Sequence, residues 1–251
     1  MAIGRYISVL VLLALPAWAG SIVSTFQVTA QDPAGETISA RGVFTMDQIA
    51  GTLSVQLTNQ VTDERSVGQA ITGFSFGLTS GLADFNGAFG DQIQVASNGV
   101  VSDLGRNPQA TLSDWRTTTS GRTVTVTDLG KGQPKLSILG AATDGVYRNA
   151  NGSIAGNKAH NSFVSEVATF TFRGVTGNLV ADSVRIGFGT EGTNYVVASL
   201  VPEMVPFSSS ISNVGFDSSA PEPGTWCFAL AGLGWLGYRR RRGRWRSPPI
   251  H

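Results

Sequence analysis

From Gly51 to Thr58 every second residue is apolar: Leu53, Val55 and Leu57 fall on one face of an extended chain, and Thr52, Ser54, Gln56 and Thr58 on the other. A period of two is the mark of a strand half-buried against a core, because successive side chains of an extended chain point to opposite sides. The pattern recurs. Thr37–Met46 puts Ile38, Ala40, Gly42 and Phe44 together, and Ile71–Leu78 aligns Phe74, Phe76 and Leu78. Ser165–Arg173 sets Ala168, Phe170 and Phe172 opposite Val167, Thr169 and Thr171. Ile22–Ala30, Gly90–Ala96, Thr123–Asp128, Leu136–Leu139, Val180–Phe188 and Tyr195–Ser199 are further strand candidates. The turn Asp47–Gly51 joins two of them as a hairpin. No window of this region sustains a 3.6-residue apolar period, so little helix is expected. Roughly eight to twelve short strands separated by Gly- and Asn-rich turns define an all-β fold, an antiparallel β-sandwich, jelly-roll-like. No internal repeat is evident. Ser97–Ser120 and Ala142–Asn161 read as long surface loops, the places where binding tends to concentrate.

The two ends of the chain follow different rules. Arg5 precedes the apolar run Tyr6–Leu15, Pro16 breaks it, and Ala17-Trp18-Ala19 fits the small-residue cleavage rule. These are the three regions of a secretory signal peptide, a signal helix over residues 1–19 cleaved between Ala19 and Gly20. At the other end Pro221-Glu222-Pro223 is followed by an uncharged run, Trp226–Tyr238, and then by Arg239, Arg240, Arg241 and Arg242, with Arg244 and Arg246 beyond. The prolines disfavour helix at the residues before them, so a helix starts after Pro223. As a transmembrane helix this run, with Phe228, Leu230, Leu233 and Leu236 as its bulk, rises about 20 Å at about 1.5 Å per residue. That is short of the roughly 30 Å of a hydrocarbon core. Gly224 and Thr225 extend it, and snorkelling arginines lengthen the far side. Trp226, Trp235 and Tyr238 suit the two interfaces, and the arginines hold the C-terminus in the cytoplasm.

Those three parts, Pro221-Glu222-Pro223, the run Trp226–Tyr238 and the block Arg239–Arg242, resemble in order and spacing the PEP-CTERM sorting signal of Gram-negative bacteria. The resemblance covers about the last thirty residues. It implies recognition by exosortase, a membrane-embedded cysteine protease of that system, and release to the exterior or the cell surface. The tail Gly243–His251 is longer than is usual in such signals. The alternative is a permanent C-terminal anchor that nothing cleaves. Leu-Pro-x-Thr-Gly, which a cell-wall sortase needs, is absent. The resulting division is a signal peptide (1–19), a β-sandwich domain (20–205), a flexible stalk (206–220), a sorting signal (221–246) and a tail (247–251). The expected partners are the Sec translocon, signal peptidase and exosortase. The expected route is an inner-membrane intermediate followed by the cell surface or the extracellular space.

Charge must be read with the ends removed. The chain has 18 Lys and Arg against 17 Asp and Glu. Arg5 and the six terminal arginines lie outside the exported part, as does Glu222, leaving 11 basic and 16 acidic residues and a charge of −5. An acidic domain with no basic patch argues against nucleic acid as a partner. The only cysteine, Cys227, sits in the terminal apolar run, so no disulfide is expected in the domain and stability rests on a buried core.

Enzyme-like strings fail on context. Gly73-Phe74-Ser75-Phe76-Gly77 matches G-x-S-x-G, but a nucleophile elbow needs a strand, a sharp turn and a helix, whereas Thr79-Ser80-Gly81 follows here. His160 is the one histidine available as a base in the domain. Gly187-Phe188-Gly189-Thr190-Glu191-Gly192 matches G-x-G-x-x-G, but Tyr195-Val196-Val197 is strand-like, so a hairpin turn is expected. Asp84–Gly87 and Asp144–Asn151 carry oxygen ligands on expected loops, where weak surface calcium is conceivable without the spacing of a dedicated calcium loop. One histidine and no cysteine exclude a zinc site. No cofactor is expected. Trp115 and Tyr147, on the long loops, either stack on sugar rings or are buried beneath those loops, and burial is the expected outcome. The expected function is that of a non-enzymatic exported protein of a surface, biofilm or exopolysaccharide matrix. The alternatives are a carbohydrate-binding β-sandwich module and, with no catalytic set to support it, a secreted hydrolase.

Overall fold

A computed structural model describes residues 21–202, apart from 82, 105–111, 131–132 and 193. The signal peptide with Ala17, Ala19 and Gly20, the stalk and the whole sorting signal lie outside the described residues. Thirteen strands are described: β1 (Ile22–Gln31), β2 (Thr37–Asp47), β3 (Thr52–Asn59), β4 (Ile71–Leu78), β5 (Asp84–Val95), β6 (Val101–Asp103), β7 (Arg116–Ser120), β8 (Thr123–Thr127), β9 (Ile138–Leu139), β10 (Phe163–Arg173), β11 (Leu179–Phe188), β12 (Tyr195–Val197) and β13 (Ser199–Val201). The only helical element among them is a 3-10 turn, Val67–Gln69, closed by a capping box between Ser66 and Gln69. No helix of the described residues is long and apolar enough to cross a membrane.

The described domain is therefore all-β, as its periodicity requires. The strands join in one hydrogen-bonded order, β12-β11-β4-β9-β10-β3-β2-β1-β13, with β5, β6, β7 and β8 branching from it. All strand pairs are antiparallel except the short β9–β10 contact, so the sheet is mixed where a purely antiparallel one was expected. The sheet doubles over, and its apolar faces meet. Phe44 of β2 packs edge-on to Phe76 of β4 at 5.8 Å, and Phe74 of β4 lies 4.8 Å from Phe170 of β10. These strands are not hydrogen-bonded neighbours, so the rings meet across the interior. Phe74 touches four other phenylalanines in all, the edge-to-face and offset arrangements that aromatic quadrupoles favour.

β4 is buried along its whole length, on both faces. Phe74, Phe76 and Leu78 enter the core, and glycines on the opposite face admit covering side chains. A Cβ at Gly73 would lie 2.5 Å from the Tyr195 hydroxyl, and one at Gly187, the cross-strand partner of Gly73, would lie 3.0 Å from the Tyr195 ring. The ring thus lies over two glycines that any larger residue would displace.

The segment β12–β13 closes the sheet. Tyr195–Val197 pairs with β11, Ser199–Val201 pairs with β1, and the Ala198 amide between them donates to Val184 O at 2.9 Å. The register Thr25↔Val201 brings the last described strand out beside the start of the first. Both ends of the described domain therefore leave at one pole, which also carries the β2–β3 turn, since Ile22 pairs with Met46. β1 runs from there over ten residues, about 30 Å at about 3.3 Å per residue, to the opposite pole.

Two loop expectations need correction, and a third gains an inward anchor. Asp84–Gly87 belongs to β5, where Asp84, Phe85 and Gly87 pair with β10. Ser97–Ser120 contains β6 and β7. Ala142–Asn161 has no named strand and lies mostly at the surface, as expected, but it is anchored inward. Tyr147 and Ile154 are buried in a second apolar cluster with Val67, Ala70, Ile93, Val95, Leu139 and Phe163.

Candidate functional site

The strings singled out in the sequence resolve as scaffold. Ser75 is buried within β4, and His160 is held elsewhere by donating from Nδ1 to Pro134 O at 3.1 Å, so no nucleophile–base pair forms. Gly187 and Phe188 end β11, and the rest of the string begins the turn to antiparallel β12, with Gly189 at φ +72. Among the described residues, no three His, Cys, Asp or Glu side chains come together as metal ligands. Trp115 is 3% exposed and donates from Nε1 to Leu136 O at 2.9 Å. Tyr147 is 2% exposed and donates to Gly140 O at 2.6 Å. Neither ring is available to stack on a sugar.

A different group of residues gathers at the pole away from the chain ends. β7 and β8 form a hairpin that pairs with β4 through β8, with Thr127 opposite Gly73. Beyond β8 the chain is pinned to β4, because the Asp128 amide donates to Thr72 O at 3.0 Å. A return segment is held by the Trp115 and His160 contacts to Leu136 and Pro134. Between these pieces lies a cleft of about 420 Å³, lined among the described residues by Asp114, Arg116, Asp128, Gly130, Gln133, Lys135 and Ala159. Ligand pockets commonly fall between about 300 and 1,000 Å³.

Asp128 is the buried acid of this cleft, 3% exposed. Its Oδ2 accepts from Ser137 Oγ at 2.5 Å, while Oδ1 has no hydrogen-bond partner. Burial pushes its carboxyl well above the usual carboxylate range, the Ser137 hydroxyl opposes this, and the nearby Asp114 adds to it. The Arg116 guanidinium lies beside Gly130, where a Cβ would be 3.5 Å from its central carbon. Neither Arg116 nor Lys135 forms an ion pair with a described carboxylate. The cleft thus holds two unpaired cations, one accessible carboxylate and one buried acid that resists ionisation.

A second buried acid, Glu64, sits at the end of β3. Asn59 Nδ2 donates to its Oε1 at 2.5 Å, the Gly140 amide also donates to it, and Oε2 has no partner. Burial pushes its carboxyl up to about 8 against these two donors. Glu64 is not among the residues lining the cleft, and its partners are Asn59 and the Gly140 backbone.

Comparison with known proteins adds one finding. Residues 219–242 match the PEP-CTERM protein-sorting motif. The match contains Pro221, Glu222 and Pro223, the run from Trp226 to Tyr238, and Arg239 to Arg242. The chain thus carries the sorting motif that its C-terminal sequence resembles, which is consistent with an exosortase substrate and implies export and association with the cell surface. No curated protein matches the chain.

Proposed function

We propose that this chain is a non-enzymatic surface or extracellular-matrix protein, delivered by exosortase and associated with exopolysaccharide or biofilm. The observation that carries the reading is the sorting motif at residues 219–242 behind an all-β domain. Support comes from the failure of the G-x-S-x-G string to assemble a catalytic set, since Ser75 is buried within β4 and His160 is held by Pro134 O. The doubled-over sheet is read as a β-sandwich, jelly-roll-like, on the strength of the Phe44–Phe76 and Phe74–Phe170 contacts. Residues 1–19 act as a cleaved signal peptide, and Trp226–Tyr238 as a transient membrane span with the arginines inside.

A glycan-binding module is the second reading. The polar cleft favours it, although the buried rings of Trp115 and Tyr147 do not. Intact mass of the secreted product tests the first reading. The expected result is loss of the N-terminal 19 residues and of everything after the Pro-Glu-Pro region. A full-length product that stays in the membrane of cells with active exosortase overturns it. Replacement of Pro221, Glu222 and Pro223 by alanine is expected to cause the same retention.

A further inference from the structure

We propose that the cleft between the end of β8 and the return segment at Gln133–Ser137 binds a hydroxyl-rich monocarboxylate, one acidic sugar residue of the uronate kind. This deepens the glycan-binding reading above and rests on it.

The lining itself sets the chemistry. Arg116 and Lys135 are exposed and unpaired in a domain whose charge is otherwise acidic. A planar guanidinium and an ammonium lining one cleft match a carboxylate, and such charge-assisted hydrogen bonds are stronger than neutral ones. Asp114 and Gln133 supply acceptors and donors for hydroxyl groups. Asp128 is the independent mark of a ligand site: a buried side chain on the lining with one oxygen unsatisfied, where buried polar atoms are normally paired. Because burial opposes its charged form, it adds little repulsion against an incoming anion.

Other ligand classes fit less well. Among the described lining residues only Ala159 and Gly130 are apolar, so a greasy ligand gains little. The Asp114 carboxylate opposes a phosphate dianion more than it opposes a single carboxylate. The Arg116 and Lys135 cations oppose a divalent metal, and Asp128, held neutral by burial, offers it little charge. The volume of about 420 Å³ takes one or two sugar rings and leaves a longer polymer to run out over the surface.

The test is calorimetric titration of the full-length chain, in detergent, with D-galacturonate, with D-galactose as the uncharged counterpart and with calcium chloride alone. Saturable binding of galacturonate, at least about tenfold tighter than galactose, is expected. Arg116→Ala with Lys135→Ala is expected to weaken it by about tenfold or more. Both residues are exposed, so the doubly substituted protein keeps its circular dichroism spectrum. No heat with galacturonate at about 10 mM, equal affinity for galactose, undiminished binding by the double variant, or binding of calcium alone each overturns the proposal. Cleavage of the sorting signal is read separately by mass, so failure here leaves the exosortase reading standing.

Discussion

Glu64 lies wholly inside the protein with one oxygen unpaired, and this has a pH signature. Its ordinary value is 4.5, and in the folded protein it rises to about 8. Between these values the unfolded chain releases a proton that the folded chain holds. The stabilisation is complete below 4.5 and is lost as pH rises through about 8. Each pH unit in that window removes at most about 1.4 kcal/mol. Asp128 is shifted in the same direction and adds to the trend. The urea midpoint is therefore expected to be higher at pH 5 than at pH 8, and Glu64→Gln is expected to flatten the slope. A midpoint that ignores both pH and the substitution would show that Glu64 is not buried as a neutral acid. Gly140 beside it has no room to grow, since a Cβ would lie 1.8 Å from Val61 O, a backbone atom. Gly140→Ala is expected to cost about 3 kcal/mol or more in the same measurement.

Among elements, legibility in the sequence followed the apolar period. β3 was readable because Leu53, Val55 and Leu57 all enter the core, and β10 because Ala168, Phe170 and Phe172 do. β7 was not readable. Arg116–Ser120 has no apolar residue and is a strand only because β8 pairs with it. The first half of β5 was misread because Asp84, Asn86 and Gly87 favour turns, while its pairing with β10 overrides that preference. The cleft was invisible for a similar reason. Asp114, and Arg116 at the start of β7, lie on one stretch of chain and Asp128 and Lys135 on another, and only the pinning of Asp128 to Thr72 and of Leu136 to Trp115 brings them together. The sorting motif, by contrast, is contiguous and needs no fold to be read. Phe74 links the two packed faces, so Phe74→Ala is expected to cost about 3–5 kcal/mol, measured by denaturant unfolding. A loss below about 1 kcal/mol would mean that the rings do not form one core.

At the scale of the whole molecule, the first and last described strands share a pole, and the proposed cleft lies at the other. An epitope inserted after Ala34, in the turn beyond the far end of β1, is expected to be tolerated. Gly35 there has open space around it. On intact cells that epitope should be reached by antibody without permeabilisation; labelling that requires permeabilisation would contradict a surface location. The pairing of β13 with β1 also decides how the domain answers a pull. A load entering through residue 202 and resisted at the far pole runs along the axis of β13, parallel to the strand. The three register pairs with β1 are then strained together in shear, not opened one at a time as in a zipper. A domain held in flowing water by one end would be gripped in its stronger direction.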